Sequence, residues 1–258
     1  MRHDRSRARL AAALAAFVLA AAAAAAAEGP DPAQAMKAAD EAMYPRNFSM
    51  TVSILTRRPG QGDSRLVLEV AHRADMGTFM EMLSPPRSRG TRFLQTEGAL
   101  WMYSPRSLSR LTIRLSPRES FQGSVFSNND VSETTWSNDY AASLAGSTTV
   151  DCPDFGATDS WIVSGKALRP DVPYGEIRLY LRKGDLLPLK VEYFAKSGLL
   201  LKTMLLSDYG QEAGRLRPRR MLMTAADGTG EQSVVTVSKL RERNDLPAAM
   251  FNQAWLVR

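Results

Sequence analysis

From Phe48 onward the chain alternates apolar and polar residues with a period of two. Phe48, Met50, Val52 and Ile54 alternate with Ser49, Thr51 and Ser53, and Leu66, Leu68 and Val70 with Val67, Glu69 and Ala71. Ile177, Leu179 and Leu181 fall among Glu176, Arg178 and Arg182. Leu189, Val191 and Tyr193 enclose Lys190 and Glu192, and Val235 and Val237 sit beside Thr236 and Ser238. Strands with one greasy and one wet face belong to antiparallel sheet, not to the doubly buried parallel kind. Turn signals separate them at short intervals: Pro59-Gly60-Gln61-Gly62-Asp63, Lys183-Gly184-Asp185, Lys196-Ser197-Gly198 and Asp227-Gly228-Thr229-Gly230. The pattern predicts about eleven strands joined mainly by hairpins.

One earlier stretch has a different period. Ala35, Met36, Ala39 and Met43 recur at three- and four-residue steps, with Lys37, Asp40 and Glu41 on the opposite side. This predicts an amphipathic helix over Pro32–Tyr44, with Asp31 as N-cap, Pro32 at the first helical position and Pro45 as the stop. Two further places break the strand rhythm. Ser116–Thr135 is long for a hairpin and carries Phe121, Val125, Phe126 and Val131 among polar residues. Within it, Ser127-Asn128-Asn129-Asp130 has the spacing of a helix cap with an acidic residue three later. Asp245–Phe251 predicts a last helical turn before Trp255-Leu256-Val257. No internal repeat or Pro/Ser-rich linker divides the chain, so residues 28–258 read as a single β domain.

Residues 1–27 have another character. Arg2, Arg5, Arg7 and Arg9 precede an alanine-rich apolar run from Leu10 to Ala27, and Ala25 and Ala27 place small side chains before Glu28. That is the layout of a cleaved secretory signal, and it places the mature chain in a bacterial periplasm. Glu28, not a cysteine, follows the expected cleavage site, so no lipid anchor is expected. Losing four arginines and one aspartate lowers the formal charge from +6 to +3. The basic residues are dispersed, and no nucleic-acid partner is expected. The densest group, Arg215, Arg217, Arg219 and Arg220 around Pro218, reads as a solvated strand edge. Cys152 is the only cysteine, which excludes an internal disulfide, and it is expected to be a buried free thiol.

The mature chain has one histidine, His72, continuing the apolar face of Leu66, Leu68 and Val70. A Ser–His–acid site would have to use it, yet no Gly-x-Ser-x-Gly elbow occurs. One His and one Cys do not make a zinc site, and no phosphate loop or dinucleotide fingerprint is present. Neither catalysis nor a cofactor is expected. The apolar faces raise a different question, because a one-sided sheet must bury its greasy side. Three helical candidates are few for so many strands, so the sheet is expected to curl and leave a cavity. Methionine, which adapts to irregular apolar partners, recurs at Met80, Met82, Met102, Met204, Met221 and Met223.

Several segments together carry a family resemblance. They are Met80-Glu81-Met82-Leu83-Ser84-Pro85-Pro86 with Arg89-Gly90-Thr91 and Leu94, then Leu100-Trp101-Met102-Tyr103-Ser104-Pro105, then Phe121-Gln122-Gly123-Ser124-Val125-Phe126-Ser127-Asn128-Asn129-Asp130. Asp139-Tyr140, Pro188–Tyr193 and Leu246-Pro247 with Phe251 fit as well. The chain resembles the outer membrane lipoprotein-sorting protein family, a LolA-like group of periplasmic proteins. Where such proteins often carry an acidic residue after Gly-Ser, this chain has Val125. The resemblance implies a mainly β fold, a curved and incomplete antiparallel barrel covered by a few helices, whose apolar interior shelters lipid tails. It also implies lipoprotein acyl chains or other lipids as cargo, an inner-membrane transporter and an outer-membrane acceptor as partners. The expected lining is Met50, Val52, Ile54, Met80, Met82, Trp101, Met102, Tyr103, Phe121, Phe126 and Met204, with Ser116–Thr135 as a movable cover. The rival expectation is an accessory of a membrane export machine that carries no lipid.

Overall fold

The computed structural model describes residues 29–96, 98–107, 111–132 and 135–258. The leader expected over residues 1–27 lies outside them. Helix α1 (Pro32–Met43) precedes six strands, β1 (Asn47–Arg57), β2 (Ser64–Arg73), β3 (Gly77–Ser84), β4 (Arg92–Thr96), β5 (Ala99–Tyr103) and β6 (Ile113–Leu115). After the short α2 (Asn128–Ser132) come β7 (Tyr140–Cys152), β8 (Gly156–Ala167), β9 (Glu176–Arg182), β10 (Pro188–Phe194), β11 (Leu200–Glu212), β12 (Arg215–Ala225) and β13 (Gln232–Glu242). A 3-10 turn, Ala248–Phe251, and α3 (Gln253–Leu256) close the chain.

The thirteen strands of the described residues form one antiparallel sheet in the order β6-β5-β4-β3-β2-β1-β13-β12-β11-β10-β9-β8-β7. Every neighbour in that order is a sequential hairpin partner except β1 with β13, where Val52 faces Val237 and Ile54 faces Val235. The strand number exceeds the eleven expected from alternation. The two edge strands are the least visible in the pattern: β6 has three residues, and β7 is exposed along most of its length and lacks a greasy side. The sheet is open and strongly curved. In a flat sheet the nine strand spacings from β3 to β7 would span about 43 Å. Met80 of β3 and Tyr140 of β7 nevertheless line the same hollow.

The buried face of α1 is as the spacing predicts, with Ala35, Met36, Ala39 and Met43 buried. Met36 lies over Gly165 of β8, where a Cβ would sit 2.8 Å from its terminal methyl, so the bare backbone leaves room for the helix. Asp40, expected on the wet side, is instead buried. Its two oxygens accept from the amides of Trp136 (2.6 Å) and Ser137 (3.0 Å), groups nearly a hundred residues away. Desolvation raises its pKa above the usual carboxylate range, against those bonds, which lower it.

The arginine group on β12 also departs from its expected role. β12 lies between β11 and β13, not at an edge. Arg217 is buried and donates to the carbonyls of Glu41 (2.5 Å) and Glu212 (3.0 Å). Arg215 pairs with Glu41 and Arg219 with Asp208. Most of this charge is therefore spent on tying α1 and a hairpin to the sheet. Cys152 is a buried free thiol.

Candidate functional site: an apolar hollow under a tethered cover

The inner face of the curved sheet does not close into a solid core. A hollow remains between β1, β2 and β3 on one side and β10 to β13 on the other, with the end of α1, residues 121–131 and residues 135–140 over it. The space open to the centre of a water molecule is about 110 Å³, well above the roughly 10–15 Å³ that one water needs. With its mouth included, the space between atoms is about 1060 Å³. Met50, Val52, Ile54, Leu68, Val70, Met80, Met204, Met221 and Val235 make the sheet wall, and Met43, Tyr44 and Phe48 extend it.

The structure places seven of the eleven expected side chains on this hollow: Met50, Val52, Ile54, Met80, Phe121, Phe126 and Met204. Met82, Trp101, Met102 and Tyr103 lie elsewhere. Met82 is on the inner face but fully buried in solid core near the end of β3. Met102 packs against the core edge, where its sulfur accepts from Gln122 Nε2 at 3.7 Å. Trp101 and Tyr103 point to the other face. There they join Phe79, Leu94, Leu246, Phe251 and Leu256 in a second apolar cluster. The C-terminal segment causes this: it packs on the outside of β2 to β5, so that part of the sheet is greasy on both sides. Arg73 and Arg92 fasten it by donating to the carbonyls of Leu246 (3.1 Å) and Leu256 (3.2 Å).

The cover is built from the segment singled out by its length. Phe121 is fully buried and meets Phe93 with ring centroids 5.0 Å apart. The expected cap forms: Ser127 N–H donates to Asp130 Oδ2 at 2.7 Å, and Asp130 N–H donates to Ser127 Oγ at 3.2 Å. Asp130 also accepts from the Tyr174 hydroxyl at 2.9 Å and forms a buried ion pair with Lys202 of β11. Lys202 donates to the Val125 carbonyl at 3.2 Å and lies 5.0 Å from the Tyr174 ring centre. The Val125 amide in turn donates to Ser233 Oγ at 3.0 Å. Val125 thus binds through its backbone at the position where an acidic side chain was expected from the family.

This polar wall was not read from the sequence. Lys202 was visible only as a charge interrupting the apolar run Ser197–Leu206, and its partner is 72 residues away. Burial raises the phenols around the hollow: Tyr44 is pushed up to about 12, while Tyr140, Tyr174 and Tyr193 rise further, with Asp130 contributing to all three. They remain neutral hydroxyls in the physiological range. His72 packs beside the hollow, its ring 5.1 Å from that of Phe48 and Nδ1 2.9 Å from Thr78 Oγ1. Burial lowers it to about 4, outweighing the opposing pull of Asp75. Among the described residues no three His, Cys, Asp or Glu side chains converge as metal ligands, and no helix is long and apolar enough to cross a membrane.

An open, curved antiparallel sheet around an apolar hollow, covered by short helices, is a LolA-like fold. A family model described as an uncharacterized protein matches residues 74–258, and the chain belongs to that family. It is similar to the crystal structure of a LolA superfamily protein from Nitrosomonas europaea, with a TM-score of 0.78 and 25% identity over 88% of this chain and 100% of that one. A DUF1329 family protein from Desulfovibrio piger gives a TM-score of 0.75 at 20% identity, over 88% and 100% of the two chains. A Vibrio parahaemolyticus domain described as an outer membrane lipoprotein-sorting protein gives 0.74 at 22%, over 88% and 98%. The last two establish likeness of fold alone. No curated protein matches the chain.

Proposed function

We propose that the mature chain is a soluble periplasmic carrier, freed from its leader and without a lipid anchor. It shelters the acyl chains of lipoproteins or other lipids in the hollow on their way toward the outer membrane. The observation that carries this reading is the hollow itself, walled by pliable methionines and branched aliphatics where a folded domain is ordinarily solid. Burying each methylene yields about 0.8 kcal/mol, so ten of them give about 8 kcal/mol before the cost of association. No covalent step is needed to retain such a chain. An inner-membrane transporter would load it and an outer-membrane acceptor would receive it. The likeness to a LolA superfamily protein supports the same reading.

Native mass spectrometry of gently purified mature protein tests it. Co-purifying lipid that disappears in a Val52→Trp/Met204→Trp variant is the expected result. A wild-type chain that remains empty while holding a protein partner tightly would replace the carrier with an export-machine accessory.

A further inference from the structure

Charge along the chain looks dispersed, but the fold collects one part of it. Between Leu83 and Arg118 the described residues hold six arginines and no carboxylate, a formal balance of +6. The mature chain totals +3, so everything outside this stretch sums to −3. The stretch comprises the end of β3, the strands β4, β5 and β6, and their connections. β3 ends at Ser84 and β4 begins at Arg92; β5 ends at Tyr103, opposite Arg92, and β6 begins at Ile113, opposite Met102. Both connections therefore leave the same end of the sheet, at its β6 edge. They also touch, since a Cβ on Gly90 would lie 3.4 Å from the Pro105 ring.

Arg92 is used internally, paired with Glu81 and donating to C-terminal carbonyls. Arg87, Arg106, Arg114 and Arg118 are exposed and enter no ion pair among the described residues. Arg89 is exposed too, and donates to the Leu83 carbonyl at 3.0 Å. Large apolar side chains stand among these cations: Leu111 is 66% exposed, Ile113 47% and Leu83 36%. Glu119 is the exposed carboxylate next to Arg118.

We infer that this corner is a docking surface for a lipid bilayer rich in anionic headgroups. Guanidinium groups bind phosphate in a bidentate fork, and their attraction to an anionic surface acts over about a Debye length. Leucine and isoleucine between them supply the apolar contact that an interfacial anchor inserts at the headgroup boundary. An acidic protein patch would match the charge locally, whereas a bilayer presents a continuous phosphate layer with an apolar layer directly beneath it, the combination that arginines flanking Leu83, Leu111 and Ile113 can engage together. The bilayer accounts for both. The inference does not depend on what the hollow holds.

Vesicle co-sedimentation of the mature protein, without added cargo, tests it. Vesicles of phosphatidylcholine alone are compared with vesicles containing about a third phosphatidylglycerol, at low and high salt. Preferential binding to the anionic vesicles, reduced by salt, is expected. Arg106→Glu/Arg114→Glu should weaken it at least tenfold, whereas Arg220→Glu/Arg241→Glu, the same charge change elsewhere on the surface, should leave most of it. Leu111→Ser/Ile113→Ser should remove the part that survives high salt. Circular dichroism and thermal melts confirm that each variant is folded. Equal binding to both vesicle types, binding indifferent to the Arg106/Arg114 pair, or equal losses in the control pair would overturn the inference. So would a protein left entirely in the supernatant, the result expected of a corner built for an acidic protein.

Discussion

His72 shows how one buried side chain ties stability to pH. Its folded pKa is near 4 because burial disfavours the imidazolium, whereas an unfolded histidine titrates near 6.5. Between those values the unfolded state binds more protons, so stability rises with pH across that window. The contribution is fully present above about pH 6.5 and is lost as pH falls toward 4, up to about 3 kcal/mol. Urea melts at intervals from pH 7 to 4 should show wild type losing that much more stability than His72→Phe, which keeps a ring against Phe48 but does not titrate. Parallel curves would mean that His72 is already neutral in the unfolded chain or charged in the fold. The burial of His72 was legible, because it continues the face of Leu66, Leu68 and Val70 by strict alternation. That of Asp40 was not: its reason lies in two amides donated by Trp136 and Ser137, and no local pattern on α1 records them.

Among elements, the cover is joined to the sheet by a buried ion pair and the hydrogen bonds around it. Its apolar anchors Phe121 and Phe126 were readable as aromatic residues in an otherwise polar loop. Its tether was not, since Lys202 and Asp130 come from separate segments and each alone reads as a surface charge. Removing one member of a buried ion pair leaves an uncompensated charge, at a cost of about 3–5 kcal/mol. Lys202→Met should therefore destabilise the protein, and Asp130→Asn in the same chain should restore much of the loss. Hydrogen exchange localises the effect. In Lys202→Met the amides of Phe121 and Asp130 should exchange before those of β1 and β13, with the double variant returning toward wild type. Uniform acceleration through the whole sheet would show that the pair secures the domain and not its cover. The same comparison explains why Trp101 and Tyr103 of β5 lie away from the hollow. Alternation puts Trp101 and Tyr103 on one face and Met102 on the other, but it does not say that the C-terminal segment covers the outer one.

At the scale of the molecule, antiparallel hairpins and one-sided strands followed from period and turns, whereas the two edge strands and the pairing of β1 with β13 did not. The hollow depends on curvature, which alternation does not encode: the same greasy faces would pack solid if the sheet folded flat upon itself. Methionines on β3, β11 and β12 were the nearest signal, because unbranched, pliable side chains suit an irregular apolar wall. A ligand that binds only the folded state raises its stability by about 2.7 kcal/mol at a hundred times its dissociation constant. For a domain of this size each kcal/mol moves the melting temperature by about 2–4 °C, so delipidated protein should gain about 5–11 °C with saturating palmitic acid. The gain should vanish in Val52→Trp/Met204→Trp, where indole rings occupy the space that the chain would fill. A wild-type melt that ignores palmitic acid would remove the acyl chain as occupant of the hollow, and an equal shift in the filled variant would place the ligand somewhere else on the protein. Because β6 and β7 do not pair, the sheet can widen without breaking a strand ladder. The shift is therefore expected to persist for chains longer than the unliganded hollow would hold.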